Sequence, residues 1–380
     1  MKSPICELLN IEFPLVAFTH CRDVVVEVSK AGGIGVLGAA AMKPEQLEVE
    51  LAWIDAHIDG KPYGVDLIVP ASFESKGQDV DRSAMVAKVP DEHFKFVKDI
   101  LAQHDIDPSI IDANKSRGGT LLGDNMKDSG AKALLDVAFA HPISLIANAL
   151  GTPPAYMLER GKAAGVKVAA LVGAKEHAIK QVEAGVDILV VAGGEAGGHC
   201  GEVSTLVLVP EVADAIKPYG DTPILAAGGI VTGRQMAACM AMGASGVWTG
   251  SVWLTTVEAE TSPVVKTKML AASSKDTVRS KARTGKSARQ LRTAWTDAWE
   301  SDDAPEPLPM PLQSIVSEPA MARITKLAEG GHEGATKLAS YFVGQGVGLM
   351  NESLSTKAVV YEFMEDYLNA TERLNDFSAD

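Results

Sequence analysis

The sequence predicts an α/β protein, a (β/α)8 barrel with an inserted helical segment and a C-terminal helical extension. Eight short apolar runs alternate with helical segments, and glycines stand where the helices end. Hydrophobic residues make up 46% of the chain and aromatics only 5%, which is typical of the aliphatic core of short parallel strands. The same alternation would also suit an open doubly wound sheet, so the rhythm alone leaves that alternative open.

The order of the predicted elements is regular. Each candidate strand is a nearly continuous apolar run, as expected for strands that are buried on both faces. The predicted strands are residues 14–18, 34–39, 63–69, 143–150, 167–172, 187–192, 223–227 and 246–250. The predicted helices between them are residues 22–31, 44–58, 154–164, 175–184 and 234–242.

Two regions exceed the roughly 250 residues of a minimal barrel. The segment from about residue 71 to 141 is polar and has a helical pattern, and it is too long for one βα loop. We therefore expect an inserted segment there, which could act as a lid. After about residue 261 the strand rhythm stops, and the segment SSKDTVRSKARTGKSARQLRTAWTDAWE reads as a basic helix. We therefore expect a barrel over residues 1–260 and a helical extension or cap over residues 261–380, through YFVGQGVGLM and the amphipathic end.

Charge and cysteine content exclude several classes of function. The chain has 49 Asp and Glu against 35 Lys and Arg, a net charge of −14, which disfavours a general nucleic-acid or anionic-membrane surface. Its four cysteines lack the spacing of a metal site, so no metal is expected. The N-terminus lacks a long apolar leader segment, which favours a cytoplasmic protein. The helical tail could form a lid, a homodimer contact, or both.

The richest segment for chemistry is VDILVVAGGEAGGHCG, residues 186–201. An apolar strand ends there in a glycine-rich turn with Gly193, Gly194 and Gly198, followed by His199. Such glycines allow a flat ligand to approach the backbone, and the C-terminal rim of barrel strands is where active sites lie. His199 is thus a candidate base or hydrogen-bond donor. An ordinary turn with a surface histidine is the alternative.

Two glycine turns follow consecutive strands later in the chain. Gly228 and Gly229 end one strand, and Gly250 with Ser251 ends the next. Adjacent backbone N–H groups and a hydroxyl suit a phosphate, and barrels often bind phosphate in the loops after the seventh and eighth strands. Ordinary tight turns are the alternative. The spacing is not that of a dinucleotide fingerprint, which makes the doubly wound sheet the weaker choice.

Together these motifs resemble the nitronate monooxygenase (2-nitropropane dioxygenase) family. The resemblance rests on GGEAGGHCG, PILAAGGIVTGRQMAACMAMGASGVWTGSVWLTTVEAE and the opening PLVAFTHCRDVVVEVSKAGGIGVLGAA, over about residues 4–260. It implies an FMN-containing TIM barrel with an added smaller domain. It further implies that the FMN phosphate lies on Gly228, Gly229, Gly250 and Ser251, that Gly193, Gly194 and Gly198 line the flavin, and that His199 is the active-site histidine.

Some positions depart from the family pattern. Asp66 stands where the family commonly has an asparagine that contacts the flavin, so an altered charge is expected near the ring. The first strand also differs, in the segment AFTHCRD. His20 and Lys175 follow strands, and Asn148 lies near the end of the fourth strand. All three are candidate substrate contacts, with packing for His20, a solvated surface for Lys175 and turn stabilisation for Asn148 as the alternatives.

Three functions remain open at this point. The first is FMN-dependent oxidation of alkyl nitronates by O₂. The second is a flavin-dependent reductase or dehydrogenase of an acyl-CoA or enoyl thioester, with NAD(P)H as a redox partner. The departures at Asp66 and in the first strand and the basic residues of 281–292 favour it. The third is a barrel that binds a phosphorylated ligand without redox chemistry.

Overall fold

A computed structural model describes residues 1–69, 82–111 and 128–377. Eight parallel strands close into a barrel, each paired with its neighbours and the last with the first, which confirms the predicted fold class. The barrel strands are β1 (Leu15–Thr19), β2 (Ile34–Gly38), β3 (Tyr63–Leu67), β4 (Leu145–Asn148), β5 (Lys167–Val172), β6 (Ile188–Ala192), β8 (Ile224–Ala227) and β9 (Gly246–Thr249). A second, antiparallel sheet contains β7 (Gly198–His199), β10 (Thr277–Ser280) and β11 (Ala288–Leu291).

The strands of the barrel alternate between an inner and an outer face. Inward-facing residues form one apolar cluster that fills the barrel, namely Val16, Ile34, Val36, Leu145, Ala147, Ala169, Ile188, Val190, Leu225, Ala227 and Trp248. Ile5 and Leu9 belong to the same cluster, so the first helix closes the N-terminal end of the barrel. The other end remains as the mouth.

Fifteen α-helices are described in these parts of the chain. They are α1 (Pro4–Leu9), α2 (Arg22–Lys30), α3 (Pro44–His57), α4 (Arg82–Val86), α5 (Asp91–Gln103), α6 (Asp128–Ala138), α7 (Ala155–Ala164), α8 (Lys175–Glu183), α9 (Thr205–Ile216), α10 (Gly233–Ala241), α11 (Pro263–Ala271), α12 (Ala294–Trp299), α13 (Leu312–Glu329), α14 (Glu333–Leu338) and α15 (Thr356–Asp376). Each helix that the sequence predicts between strands is present to within about one residue at either end.

The last helix of the chain returns to the barrel. α15 packs between α10 and α2, the helices that follow β8 and β1, so it fills the eighth place in the outer layer. The contact with α10 is close, since a Cβ atom at Gly233 would lie 1.9 Å from the carbonyl oxygen of Phe363. Arg234 and Asp366 form an ion pair across it at 2.7 Å.

The inserted segment packs against the C-terminal extension. Its helix α5 lies against α13, Phe96 contacts the Trp299 ring edge-on at 4.9 Å, and Nε2 of His93 donates to the carbonyl oxygen of Glu306 at 3.0 Å. Helix α6 lies between β3 and β4 and packs on α3. The predicted insertion also includes residues 71–81 and 112–127, which lie outside the described residues.

The C-terminal extension is not entirely helical, so that prediction was wrong for two segments. Residues 277–291 form the β10–β11 hairpin, and residues 345–349 form a 3₁₀ helix in place of the expected α-helix. The strands TVRS and ARQL are short and rich in arginine, and they are strands because β11 pairs with β7. Glycines at 344, 346 and 348 interrupt the helical pattern of the second segment.

Candidate active site

The mouth of the barrel has a floor made of the last inward-facing residue of each barrel strand. These residues are Phe18, Gly38, Asp66, Ala147, Leu171, Ala192, Ala227 and Trp248. Four of the eight are glycine or alanine, and the Phe18 and Trp248 rings stack at 6.2 Å on one side. A floor of small and aromatic residues leaves room for a flat ligand above it.

Two of the predicted glycines are required by packing inside the protein. A Cβ atom at Gly193 would lie 2.3 Å from the backbone nitrogen of Thr205, and one at Gly228 would lie 2.5 Å from the Thr205 hydroxyl oxygen. The Glu195 carboxylate accepts hydrogen bonds from the backbone N–H and the hydroxyl of Thr205, both at 2.9 Å. The ends of β6 and β8 are thereby held against the N-terminus of α9.

The other predicted turn residues border open space or the C-terminal segment. Gly229 has a left-handed φ of 68°, and a Cβ atom at Gly250 would meet nothing closer than a Phe18 ring carbon at 3.9 Å. The Ser251 oxygen accepts a hydrogen bond from the Gly344 N–H at 2.8 Å, so the hydroxyl hydrogen of Ser251 remains available to donate. The Ser251 hydroxyl is therefore a donor for an anion beside the turn after β9, and the phosphate site at the two turns stays a prediction.

The segment Gly344–Gln345–Gly346 contacts both of these turns and was not predicted as part of the site. The backbone N–H of Gln345 donates to the carbonyl oxygen of Glu195 at 2.9 Å. A Cβ atom at Gly346 would lie 2.6 Å from the carbonyl oxygen of Gly229. The glycine pair in GQG was the available signal, but its position more than 90 residues after Ser251 separated it from the barrel motifs.

His199 lies on β7, where it is paired with Ala288 of the β10–β11 hairpin, which is called the basic hairpin below. Nε2 of its ring is 2.8 Å from the Thr284 oxygen, and the Thr284 hydroxyl donates to the carbonyl oxygen of Lys286 at 3.0 Å. Because that hydroxyl has one hydrogen, its oxygen accepts from Nε2, which leaves Nδ1 of the neutral ring as a proton acceptor. The ring is accessible at the mouth, yet the surrounding protein atoms and then the Lys286 charge lower its pKa.

Arg289 holds the glycine-rich turn from the same hairpin. Its Nε and Nη2 atoms donate to the carbonyl oxygen of Gly194 at 3.1 and 2.9 Å. This bidentate contact ties β11 to the turn that precedes His199. Arg289 and Thr284 could not be predicted from the sequence, because a helix over residues 277–291 would not bring them to the barrel.

Asp66 is a buried acid in the floor of the mouth. Its side chain belongs to a residue that is only 4% exposed, and Oδ2 has no hydrogen-bond partner in the part of the chain that the structure describes. Burial raises the pKa of this carboxyl to about 8. The acid at this position is therefore neutral at pH 7.

The three predicted substrate contacts lie in different surroundings. His20 is exposed at the mouth, where Nδ1 donates to the carbonyl oxygen of Gly38 at 2.9 Å. Asn148 is fully buried and its amide binds the backbone of Val69 and of residues 150–151, which is the turn-stabilising arrangement. Lys175 pairs with Glu211 at 3.1 Å in the outer helical layer. Of these three residues, only His20 lies at the mouth with an accessible side chain.

Comparison with known proteins identifies the family. The family profile described as nitronate monooxygenase matches residues 2–366. The chain belongs to the nitronate monooxygenase family. It is 51% identical to "Putative monooxygenase Rv1533" of Mycobacterium tuberculosis over 98% of both chains, and 29% identical to "Probable nitronate monooxygenase" of Staphylococcus saprophyticus over 77% of this chain and 79% of that one. It is therefore an oxidoreductase of this family.

A solved structure carries the same fold. The nitroalkane oxidase of Streptomyces ansochromogenes superposes with a TM-score of 0.76 at 22% identity, over 97% of this chain and 99% of that one. Among the described residues of this nitronate monooxygenase family member, no helix is both long and apolar enough to span a membrane.

Proposed function

We propose that this protein is an FMN-dependent nitronate monooxygenase that oxidises alkyl nitronates with O₂. The observation that carries the proposal is the position of His199, an exposed residue that follows the glycine-rich turn after β6 and bonds the β10–β11 hairpin. Lys286 is exposed near His199, and after burial its positive charge is the second cause that lowers the pKa of His199. A positive side chain next to a neutral histidine suits a small anion such as a nitronate.

The residues present at the mouth fit FMN. The backbone of Gly229 and Gly250 and the free hydroxyl hydrogen of Ser251 suit its phosphate, and the open space beside Gly250 leaves the backbone accessible. The floor of small residues suits a flat ring, and the unpartnered Oδ2 of Asp66 is a polar atom that a ring edge could satisfy. When bound, FMN accepts electrons from the substrate and passes them to O₂.

The protein residues attract and orient the substrate in this chemistry. Lys286 attracts the anionic substrate, while burial and then the Lys286 charge lower the pKa of His199. A nitronate already lacks the proton on its reacting carbon, so His199 only has to orient it. A neutral nitroalkane would require Nδ1 of His199 to accept that proton, and the contact of Nε2 with Thr284 leaves Nδ1 free to do so.

The test is an absorbance spectrum of the purified protein, followed by anaerobic addition of a nitronate to the same sample. We expect flavin bands that bleach with the nitronate and return when O₂ is admitted. Flavin bands that do not change with nitronate but bleach with NADH or a saturated acyl-CoA would favour an oxidoreductase of acyl thioesters. A protein that takes up no flavin, even after reconstitution with FMN, would contradict any redox role.

A further inference from the structure

Asp66 points into the barrel, at the level of the mouth. Its neighbours along β3, Val65 and Leu67, belong to the apolar cluster between the sheet and the helices, so the alternation of the strand directs Asp66 inward. In register, Asp66 lies between Gly38 of β2 and Ala147 of β4. Neither neighbour carries a polar side chain that could bond the carboxyl group.

None of the described elements around Asp66 supplies a compensating charge. On the β1 side, the titratable group is His20, whose ring lies against Gly38 and whose Nδ1 is bound to the Gly38 carbonyl oxygen. On the β4 side, Asn148 uses its amide on backbone groups. The shift in the pKa of Asp66 has burial as its cause, with no contribution from a neighbouring charge.

An ionised carboxylate at this place would be buried without a partner, which is strongly unfavourable. The neutral acid has an O–H group, and that group also lacks an acceptor among the described residues. A buried donor in the floor of a binding site is satisfied when a ligand with an acceptor atom lies over it. The edge of a flavin ring carries carbonyl oxygens and ring nitrogens of that kind.

We propose that Asp66 is held as a neutral carboxylic acid and donates its O–H group to the ring of the bound flavin, so that flavin binding weakens as Asp66 ionises. This inference rests on the proposed FMN function. It differs from that function in naming the protonation state of one side chain as a determinant of cofactor affinity. An asparagine here would donate from its N–H₂ group at every pH.

The experiment is a titration of the apoprotein with FMN, followed by quenching of flavin fluorescence, at several values between about pH 6.5 and 9. For the wild type we expect a constant Kd up to about pH 7.5 and an increase that approaches tenfold per pH unit above about pH 8. The isosteric variant Asp66→Asn should bind FMN with a Kd that stays within about twofold over the same range. Riboflavin, which lacks the phosphate, should show the same two profiles.

The outcomes separate this inference from the proposed function. Tight FMN binding with a flat profile in the wild type would overturn the inference and leave the function standing, as would a pH dependence that persists in Asp66→Asn. The control variant His20→Gln should show the same dependence of the Kd on pH as the wild type. If its Kd does not change with pH, the titrating group is His20 and not Asp66. Absence of FMN binding at any pH would overturn both.

A second measurement does not depend on the variant folding. In an infrared difference spectrum of the wild type at pH 7, FMN addition should shift the C=O stretch of a protonated carboxylic acid, because other carboxyl groups are ionised there. The band should decline above about pH 8. A wild-type spectrum without such a band would overturn the inference.

Discussion

His141 and His199 lie at opposite ends of the barrel, and their pKa values shift in opposite directions. His141 precedes β4 at the closed end, where Nδ1 contacts Asp55 at 2.6 Å and Nε2 contacts Glu48 at 3.2 Å. Burial would lower its pKa, but these two carboxylates raise it overall. At His199, burial and the charge of Lys286 both lower the pKa.

The difference shows how one residue type serves two purposes. At the closed end the histidine is a cation with both ring nitrogens bound, and Asp55 also accepts from the Tyr63 hydroxyl at 2.6 Å, so α3 is fastened to β3 and β4. At the mouth the histidine is neutral and one nitrogen remains free. Both ring nitrogens of His141 thus bind protein groups at the closed end, while one ring nitrogen of His199 is available at the end where barrels bind ligands.

The largest effect should follow from removing the histidine at the mouth. We expect His199→Asn to lower turnover of a nitronate by about 10²–10⁴-fold, because the group that orients the substrate is lost. FMN content and the midpoint of thermal unfolding should stay as in the wild type, since β7 keeps its backbone pairing with β11. Steady-state kinetics and the flavin spectrum measure this, and wild-type turnover in the variant would remove His199 from the mechanism.

The second effect should appear in stability. His141→Leu leaves Asp55 and Glu48 without their shared partner and should lower the free energy of unfolding by about 1–3 kcal/mol at pH 6, measured by urea denaturation. Activity of the folded fraction should not change. The control His177→Leu, at an exposed position on α8, should have little effect.

The sign of the pH dependence follows from the raised pKa of His141. Stabilisation by this group is complete below its ordinary value of 6.5 and is lost as the pH rises through the raised value. The difference in unfolding free energy between wild type and His141→Leu should therefore shrink as the pH rises above the ordinary value of 6.5. A difference that grows with pH would show that His141 is not a cation in the folded protein.

The barrel was predictable from the sequence, because buried parallel strands are continuous apolar runs and each predicted run overlaps an observed strand. The glycine turns and His199 could be singled out for a related reason, since they directly follow such runs, and their roles stay predictions. Arg289 and Gly344 were not found, because they come from short polar segments whose structure depends on contacts with the barrel. The shift of the Asp66 pKa also depends on burial, which no local pattern displays.

A smaller effect is expected at the rim of the mouth. Lys286→Met removes the exposed charge beside His199 and should raise the KM for a nitronate by about two- to fivefold at low salt, with kcat nearly unchanged. Added salt should raise the KM of the wild type toward that of the variant, because it screens the same charge. Lys281→Met is the matched control, since Lys281 lies on the same hairpin and faces Glu306 at 3.9 Å. Equal effects of the two variants would mean that net charge, and not the position of Lys286, attracts the substrate.

The smallest effect should be at Lys175, which the sequence predicted as a substrate contact. Its ion pair with Glu211 joins two half-exposed side chains, and such pairs contribute about 0.2–1 kcal/mol. Lys175→Met should therefore lower the unfolding free energy by less than about 1 kcal/mol, as Lys217→Met should at the exposed pair with Asp214. Because the structure engages Lys175 in the outer helical layer, KM and kcat for a nitronate should match the wild type. A rise in KM above about twofold for Lys175→Met alone would instead show that this lysine leaves Glu211 to contact the substrate.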